Sequence, residues 1–127
     1  MRHNQAGMAI PTFPFSTSDG GLLPATWDYR VGLHFSHRVM AAVIGVMLLV
    51  YAHFLWREKL LVPPLRAASL LLVVMVALQI YLGAQIIWTG RSITMTTGHV
   101  ILGALTLATT FVVAFFTQRS SIERHHP

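Results

Sequence analysis

Two histidines, His37 and His99, are the residues of this sequence best placed to bind a metal. Each lies inside a long apolar stretch, about six residues after that stretch begins, where an ionisable side chain is costly and therefore needs a reason. Both stretches enter the membrane from the same side, so we expect the two imidazoles at one depth, roughly 9 Å below the helix starts. Two imidazoles held level on neighbouring parallel helices are able to bind one metal from opposite sides.

Haem iron is the metal that this pair fits best, because haem takes axial imidazole ligands and helix bundles house cofactors between facing helices. Zinc fits less well, because it needs about four ligands and the chain has no cysteine. A proton-carrying polar network, or simple structural hydrogen bonding, would also account for histidines inside a membrane. Spacing alone leaves these interpretations open.

Three further polar residues near the same membrane surface are candidates to assist at this site. His34 lies one turn before His37 on the same helix face and is a candidate third ligand, proton carrier or contact to a haem edge. Arg38 and Arg91 are candidate partners for haem propionates, because guanidinium and carboxylate groups form charge-assisted hydrogen bonds. Snorkelling to lipid headgroups is the alternative for both arginines.

Small residues follow both histidines one turn deeper, namely Ala41 and Gly103. They predict clearance for a porphyrin plane, although ordinary helix packing also uses small residues. Gln79 and Gln85, in the apolar stretch between the two histidines, are predicted to make interhelical hydrogen bonds. His53 lies near the far end of the first stretch, where it reaches the interface, and is predicted to have no special role.

The elements that must position these residues are three predicted transmembrane helices. Hydrophobic residues make up 54% of the 127 residues and charged residues only 10%, whereas average soluble proteins carry about 25% charged residues. The apolar residues form three runs, at about 31–56, 67–88 and 93–117, each long enough to cross about 30 Å of hydrocarbon. The sequence therefore predicts an all-α membrane protein.

The remaining segments set the domain organisation and the orientation. Residues 1–30, interrupted by proline and glycine, are predicted to be an ordered extracytoplasmic loop that lies on the membrane surface or covers a site. Residues 31–118 form the spanning domain, and residues 119–127 form a polar, frayed cytoplasmic tail. Basic residues concentrate on one side, which predicts that this side is cytoplasmic; they are Arg57, Lys59, Arg66, Arg119 and Arg124. We expect a multi-pass protein of the cell (inner) membrane and no nucleic-acid partner, because the net charge of +5 is spread over the helix ends.

Taken with its neighbours, the histidine pattern resembles the haem A synthase family. The resemblance rests on His-Phe-Ser-His-Arg at 34–38, and on Leu-Gly-Ala-Gln-Ile-Ile-Trp-Thr-Gly at 82–90 followed by Thr-Thr-Gly-His-Val at 96–100. The proline- and glycine-containing segment at 9–24 is similar to that family's outer loop ahead of its histidine helix. The resemblance covers about residues 9–117.

The resemblance implies a fold, a cofactor and an activity. Members of the family usually have eight spans in two four-helix halves, each with a pair of haem-ligating histidines. The three helices would then be part of a four-helix haem-binding bundle, with His37 and His99 as axial ligands, and would correspond to the C-terminal half, which holds haem b. The implied activity is that of an oxidoreductase, which converts the C8 methyl group of haem O, the possible substrate, to a formyl group and so makes haem A for cytochrome oxidase assembly.

The sequence also departs from the family pattern. The first helix of the half and the whole other half have no counterpart here, the cysteine pair of the outer loop is absent, and His34 stands where the N-terminal half commonly has a glutamate implicated in the oxidation. We therefore expect a partner besides haem and the lipid bilayer, either the missing half or a second copy of this chain. Two other functions stay open: a bis-histidine b-type cytochrome that carries electrons, and a membrane assembly factor whose histidines bind nothing.

Overall fold

The computed structural model describes residues 8–57 and 63–123 of the chain. Two of the basic residues on which the predicted orientation rests, Lys59 and Arg124, lie outside the described residues. The middle of the predicted loop between the first two spans and the end of the predicted tail also lie outside them.

Three α-helices account for most of the described residues, which contain no strand. Helix α1 spans Tyr29–Arg57, α2 spans Pro63–Trp88 and α3 spans Ile93–Glu123. Each helix is long and apolar enough to cross a membrane. The prediction of an all-α protein with three spanning helices is therefore confirmed.

Two helix ends differ from the predicted spans. Helix α2 begins at Pro63, four residues before the predicted start, because proline has its φ angle preset for the first helical positions and needs no hydrogen-bond partner there. Helix α3 continues to Glu123, so it extends into the first part of the segment predicted as a tail, residues 119–127. No proline or glycine interrupts the sequence in that segment, so the helix has no local reason to end at the membrane surface.

Local sequence explains where α1 begins and where α2 ends. Asp28 caps α1, because its side-chain oxygen accepts a 2.8 Å hydrogen bond from the backbone N–H of Val31. Helix α2 ends at Trp88, shortly before two residues with left-handed φ angles, Gly90 at 63° and Arg91 at 70°. The backbone N–H of Arg91 donates a 2.7 Å hydrogen bond to the carbonyl of Ile86, which satisfies one of the carbonyls at the helix end.

Helix α2 is the central helix of the bundle. It packs against both α1 and α3, whereas α1 and α3 contact each other much less. In the most apolar part of each helix, 28% of the residues of α2 are buried, against 11% for α1 and for α3. Large apolar side chains are exposed on the outer helices, for example Met47, Phe111 and Phe116, as expected for surfaces that face lipid.

The buried side chains lie mainly where α2 meets its two neighbours. Leu72 of α2 is fully buried and Ser69 nearly so. Gly45 of α1 lies where an added Cβ would be 3.9 Å from a methyl group of Val76, so a small residue lets the two helices approach closely. Other buried apolar and hydroxyl residues of the three helices are Val31, Ala52, Leu55, Met75, Val76, Ala84, Ile87, Thr106 and Val113.

The segment before α1 is folded back on itself by a tight turn. The backbone N–H of Ser16 donates to the carbonyl of Gly21 at 2.8 Å, and the N–H of Gly21 donates to the hydroxyl of Thr17 at 2.7 Å. Gly20 has a φ of 91°, which glycine adopts without steric cost. Its neighbour Asp19 is fully exposed, and a hydrogen bond from Thr17 lowers the pKa of its carboxyl group.

Candidate functional site

His37 of α1 and His99 of α3 lie side by side at the end of the bundle where both helices begin. The two helices run in the same direction because α2 returns the chain between them. The centres of the imidazole rings are 6.4 Å apart, and the ring planes are inclined at 69°. His37 is exposed and His99 is half-buried. The structure thus brings together the two histidines that the sequence predicts as a pair.

The distance between the two rings matches the separation that a shared metal requires. A bond from a metal to an imidazole nitrogen is about 2 Å long, and the ring centre lies roughly 1.2 Å behind that nitrogen, so two imidazoles on one metal have centres roughly 6.5 Å apart. The observed separation of 6.4 Å is close to this value.

The donor set fits haem better than a bare metal ion. Among the residues that the structure describes, no group of three or more histidine, cysteine, aspartate or glutamate side chains is placed to hold a metal. A zinc ion needs about four such ligands. Haem iron already has the four nitrogens of its porphyrin and takes its axial ligands from the protein, so a pair of histidines completes its coordination.

His34 faces the N-terminal loop. It is only 5% exposed, and its Nδ1 accepts a 3.1 Å hydrogen bond from the backbone N–H of Ile10. An imidazole nitrogen that accepts a hydrogen bond carries no proton, so the neutral ring has its proton on Nε2. The structure therefore assigns His34 a contact that sequence reasoning missed, the fastening of the loop to α1.

Arg38, one turn after His34, holds the same loop. Its Nη2 donates to the carbonyls of Thr12 at 2.6 Å and Ile10 at 3.1 Å, and its Nη1 donates to the carbonyl of Phe15 at 3.3 Å. Its guanidinium group also lies 5.8 Å from the ring centre of Phe13, within the range of a cation–π contact. Its Nε–H is buried and has no partner among the described residues.

Together His34 and Arg38 form a clamp on Ile10. One side chain accepts the hydrogen bond of the Ile10 N–H group and the other donates to the Ile10 carbonyl, and the side chain of Ile10 is 2% exposed. The two residues are four apart on one face of α1, the spacing at which helix side chains are neighbours. We refer to this pair as the loop clamp.

The loop also reaches the far end of α2. Phe13 contacts Trp88 edge to face, with ring centres 6.2 Å apart. Between the loop and this end of α2 lies an open cleft of about 320 Å³, lined by Pro11, Thr12, Phe13, Phe15, Thr17, Ser18 and Trp88. The loop therefore contacts both α1 and α2 at the end of the bundle where the histidine pair lies.

The positions of three other predicted residues, Arg91, Ala41 and His53, add little to the description of the site. Arg91 is half-buried in the turn between α2 and α3, where its backbone ends α2. Ala41 is exposed. His53 is exposed and contacts only its neighbour Phe54 among the ring contacts of the described residues.

Gly103 makes room for a side chain of α2. A Cβ added at Gly103 would be 2.7 Å from Nε2 of Gln79, and a Cβ added at Gly83 would be 3.5 Å from Cε1 of His99. Each polar side chain therefore lies over a glycine of the opposite helix. The sequence carries a signal for this arrangement, since each glycine follows a polar residue by four positions, Gly83 after Gln79 and Gly103 after His99.

Comparison with known proteins gives consistent results. The model of a family described as cytochrome oxidase assembly protein matches residues 1–111 of the chain. Proteins named heme A synthase from Listeria welshimeri, Listeria monocytogenes and Listeria innocua are each 26% identical to it over 124 residues. These alignments cover 98% of this chain and 40% of each relative, so the chain spans well under half the length of the curated relatives it matches. No solved structure matches it.

Proposed function

This chain belongs to the family of cytochrome oxidase assembly proteins, and we propose that it forms the haem b-binding half of a haem A synthase. His37 and His99 are the residues that would hold the iron. The observation that carries the proposal is the pairing of their rings at 6.4 Å on α1 and α3. When bound, the haem iron supplies one-electron redox chemistry at this position.

The residues around the pair have roles in binding and orienting the haem. Arg38 is the proposed partner of one propionate, because its Nε–H is buried and has no partner among the described residues. Arg91, in the turn between α2 and α3, is the proposed partner of the second. The loop held by His34 and Arg38 covers this end of the bundle and limits the access of water.

The proposed reaction of the complete protein is oxidation of the C8 methyl group of haem O to the formyl group of haem A. The family's glutamate is replaced here by His34, and this histidine is buried against Ile10. We therefore assign the oxidation to the other half of the protein, and electron transfer to the haem that the histidine pair of this chain would hold.

The other half, or a second copy of this chain, is the proposed partner. The chain corresponds to 40% of the length of its relatives, and His37 is exposed on α1. Helices α1 and α3 leave a seam between them because both pack mainly on α2. A further helix laid over this seam would enclose a haem that three helices leave open on one side.

A second function is favoured by one specific observation. His34, at the position of the family's glutamate, accepts a hydrogen bond from the backbone of the loop and is therefore not available to act on a substrate. A bis-histidine b-type cytochrome, which carries electrons without oxidising haem O, needs only the histidine pair.

An absorption spectrum and a haem extraction test these functions in turn. We expect the purified protein, supplemented with haem, to show a Soret band and the sharp visible bands of a six-coordinate, low-spin iron. No Soret band after supplementation would exclude both haem functions. Cells that make haem O and the complete protein should yield haem A, whereas haem O alone would leave the electron carrier as the function.

A further inference from the structure

Two buried polar atoms near the histidine pair lack partners, and they belong to neighbouring side chains. Nδ1 of His99 and Oε1 of Gln79 are both buried and lack a hydrogen-bond partner of good geometry among the described residues. The ring of His99 also lies near the backbone carbonyl of Gln79, but that carbonyl already accepts the helical hydrogen bond of the residue four positions later in α2. Unpaired polar atoms are expensive inside a membrane-spanning bundle, where no bulk water can satisfy them. One atom belongs to a ring that can carry a proton, and the other is an acceptor.

The packing of α2 on α3 places these two side chains within one helical turn of each other. The ring of His99 lies against Gly83, which follows Gln79 by four residues. The amide of Gln79 lies against Gly103, which follows His99 by four residues. Because α2 and α3 are antiparallel, these two contacts place Gln79 and His99 in adjacent layers of the interface, one helical turn apart.

The orientation of the Gln79 amide supports the same pairing. A Cβ at Gly103 would be 2.7 Å from Nε2 and 4.0 Å from Cδ of Gln79, so Nε2 is directed at Gly103. The amide oxygen is then on the other edge of the group, away from Gly103.

We propose that Gln79 is the positioning residue of His99, whose Nδ1–H donates a hydrogen bond to the Gln79 side-chain oxygen. This contact holds the proton on Nδ1 and leaves the lone pair of Nε2 for the iron. Metal-binding histidines almost always donate their second ring N–H to such a partner, which fixes the tautomer and raises the basicity of the ligand. The inference rests on the proposed function, in which His99 is an axial ligand.

The first test uses the protein without haem, so that it does not depend on iron. In protein labelled with ¹⁵N-histidine, a protonated ring nitrogen and an unprotonated one have well-separated chemical shifts, and the His99 signals are identified by their loss in His99→Ala. We expect the Nδ1–H tautomer in the unaltered protein and in Gln79→Glu, which keeps an acceptor oxygen. We expect its loss in Gln79→Met, which has similar length but no acceptor.

The matched control is Gln85→Met, the same change two turns away on α2. It should leave the tautomer of His99 unchanged. An Nδ1–H tautomer that persists in Gln79→Met would overturn the proposal, as would an Nε2–H tautomer in the unaltered protein. Helix content and thermal unfolding of each variant identify one that fails to fold, and Gln79→Glu then gives the decisive comparison, because it must retain the Nδ1–H tautomer.

The second test uses the haem-loaded protein. We expect Gln79→Met to raise the dissociation constant for haem about 10- to 100-fold, and we expect the midpoint potential to rise in the order Glu, Gln, Met at position 79. The same substitutions at Gln85 are the control. If the midpoint potentials of the variants at position 79 differ no more than those of the variants at position 85, the positioning role is overturned. Retention of haem by His99→Ala would instead contradict the proposed function, while the tautomer measurement would still report on the contact between Gln79 and His99.

Discussion

His37 lies exposed on α1, whereas His34, one turn earlier on the same helix, is 5% exposed and accepts a hydrogen bond from Ile10. The two residues are identical in chemistry and differ only in what surrounds them. The first has the ring of His99 as its neighbour, and the second has the backbone of the loop. Sequence spacing placed both on one helix face, but it could not show that the face is divided between two neighbours.

The histidine pair gives the first prediction at the scale of single residues. We expect His37→Ala and His99→Ala each to abolish the six-coordinate spectrum and to reduce bound haem severely, because each removes one axial ligand. The measurement is the haem-to-protein ratio and the visible spectrum after reconstitution. His53→Ala is the control, since His53 is exposed near the other end of α1, and it should bind haem normally. Normal haem binding by both pair variants would remove the proposed ligands.

Arg38 gives a second prediction, on the order of the loop. Arg38→Gln removes the donors to the carbonyls of Ile10, Thr12 and Phe15, so we expect chymotrypsin to cleave after Phe15 several-fold faster than in the unaltered protein. The measurement is the rate of appearance of the fragment that begins at Ser16.

The control for this experiment is Arg30→Gln. Arg30 is exposed in the first turn of α1, close to the loop in sequence, and its replacement should leave the cleavage rate unchanged. Equal rates for the Arg38 variant and the unaltered protein would mean that these hydrogen bonds do not hold the loop.

At the scale of elements, the contact between α2 and α3 depends on glycine. Gly103→Leu adds a side chain where even a Cβ would lie 2.7 Å from Gln79. Overpacking of this kind costs about 1–3 kcal/mol, so we expect a lower midpoint of thermal unfolding in detergent.

Gly32→Leu is the matched control, because no heavy atom of the described residues outside its own helix turn and chain neighbours lies within 4 Å of a Cβ at Gly32. This variant should unfold close to the midpoint of the unaltered protein. If the two variants unfold at the same temperature, the close approach at Gly103 does not contribute to the stability of the bundle.

The helices were predictable from the sequence, and the loop contacts were not. A bilayer requires about 20 apolar residues for each span, and the three runs supply them, so the helices follow with errors of a few residues at Pro63 and after residue 117. The pairing of His37 with His99 follows from equal depth. The loop clamp has no such signal, because Arg38 binds backbone carbonyls, which every residue type presents.

At the scale of the whole molecule, α1 and α3 leave a seam that no element of the described chain fills. They contact each other through the histidine rings and, toward the other end, through the hydroxyl groups of Tyr51 and Thr117 at 3.4 Å. In the most apolar part of each of these two helices, only 11% of the residues are buried. This arrangement is why we propose a partner chain.

The partner gives the prediction at this scale. We expect the haem-loaded protein in mild detergent to have the mass of a complex, either two copies of this chain or one copy with the other half, and to lose most of its haem when the complex is diluted to single chains. Native mass spectrometry or light scattering measures the mass. A single chain that retains its haem on dilution would show that three helices are enough.

The clamp on Ile10 has one more consequence. Both of its side chains, His34 and Arg38, come from α1. The N-terminal loop is therefore fastened to the helix that carries His37, and these hydrogen bonds do not involve α3. A separation of α1 from α3 would therefore leave the loop clamp intact. A haem dissolved in the bilayer would then have its shortest route of entry from the lipid, between α1 and α3, while the loop stays bound to α1.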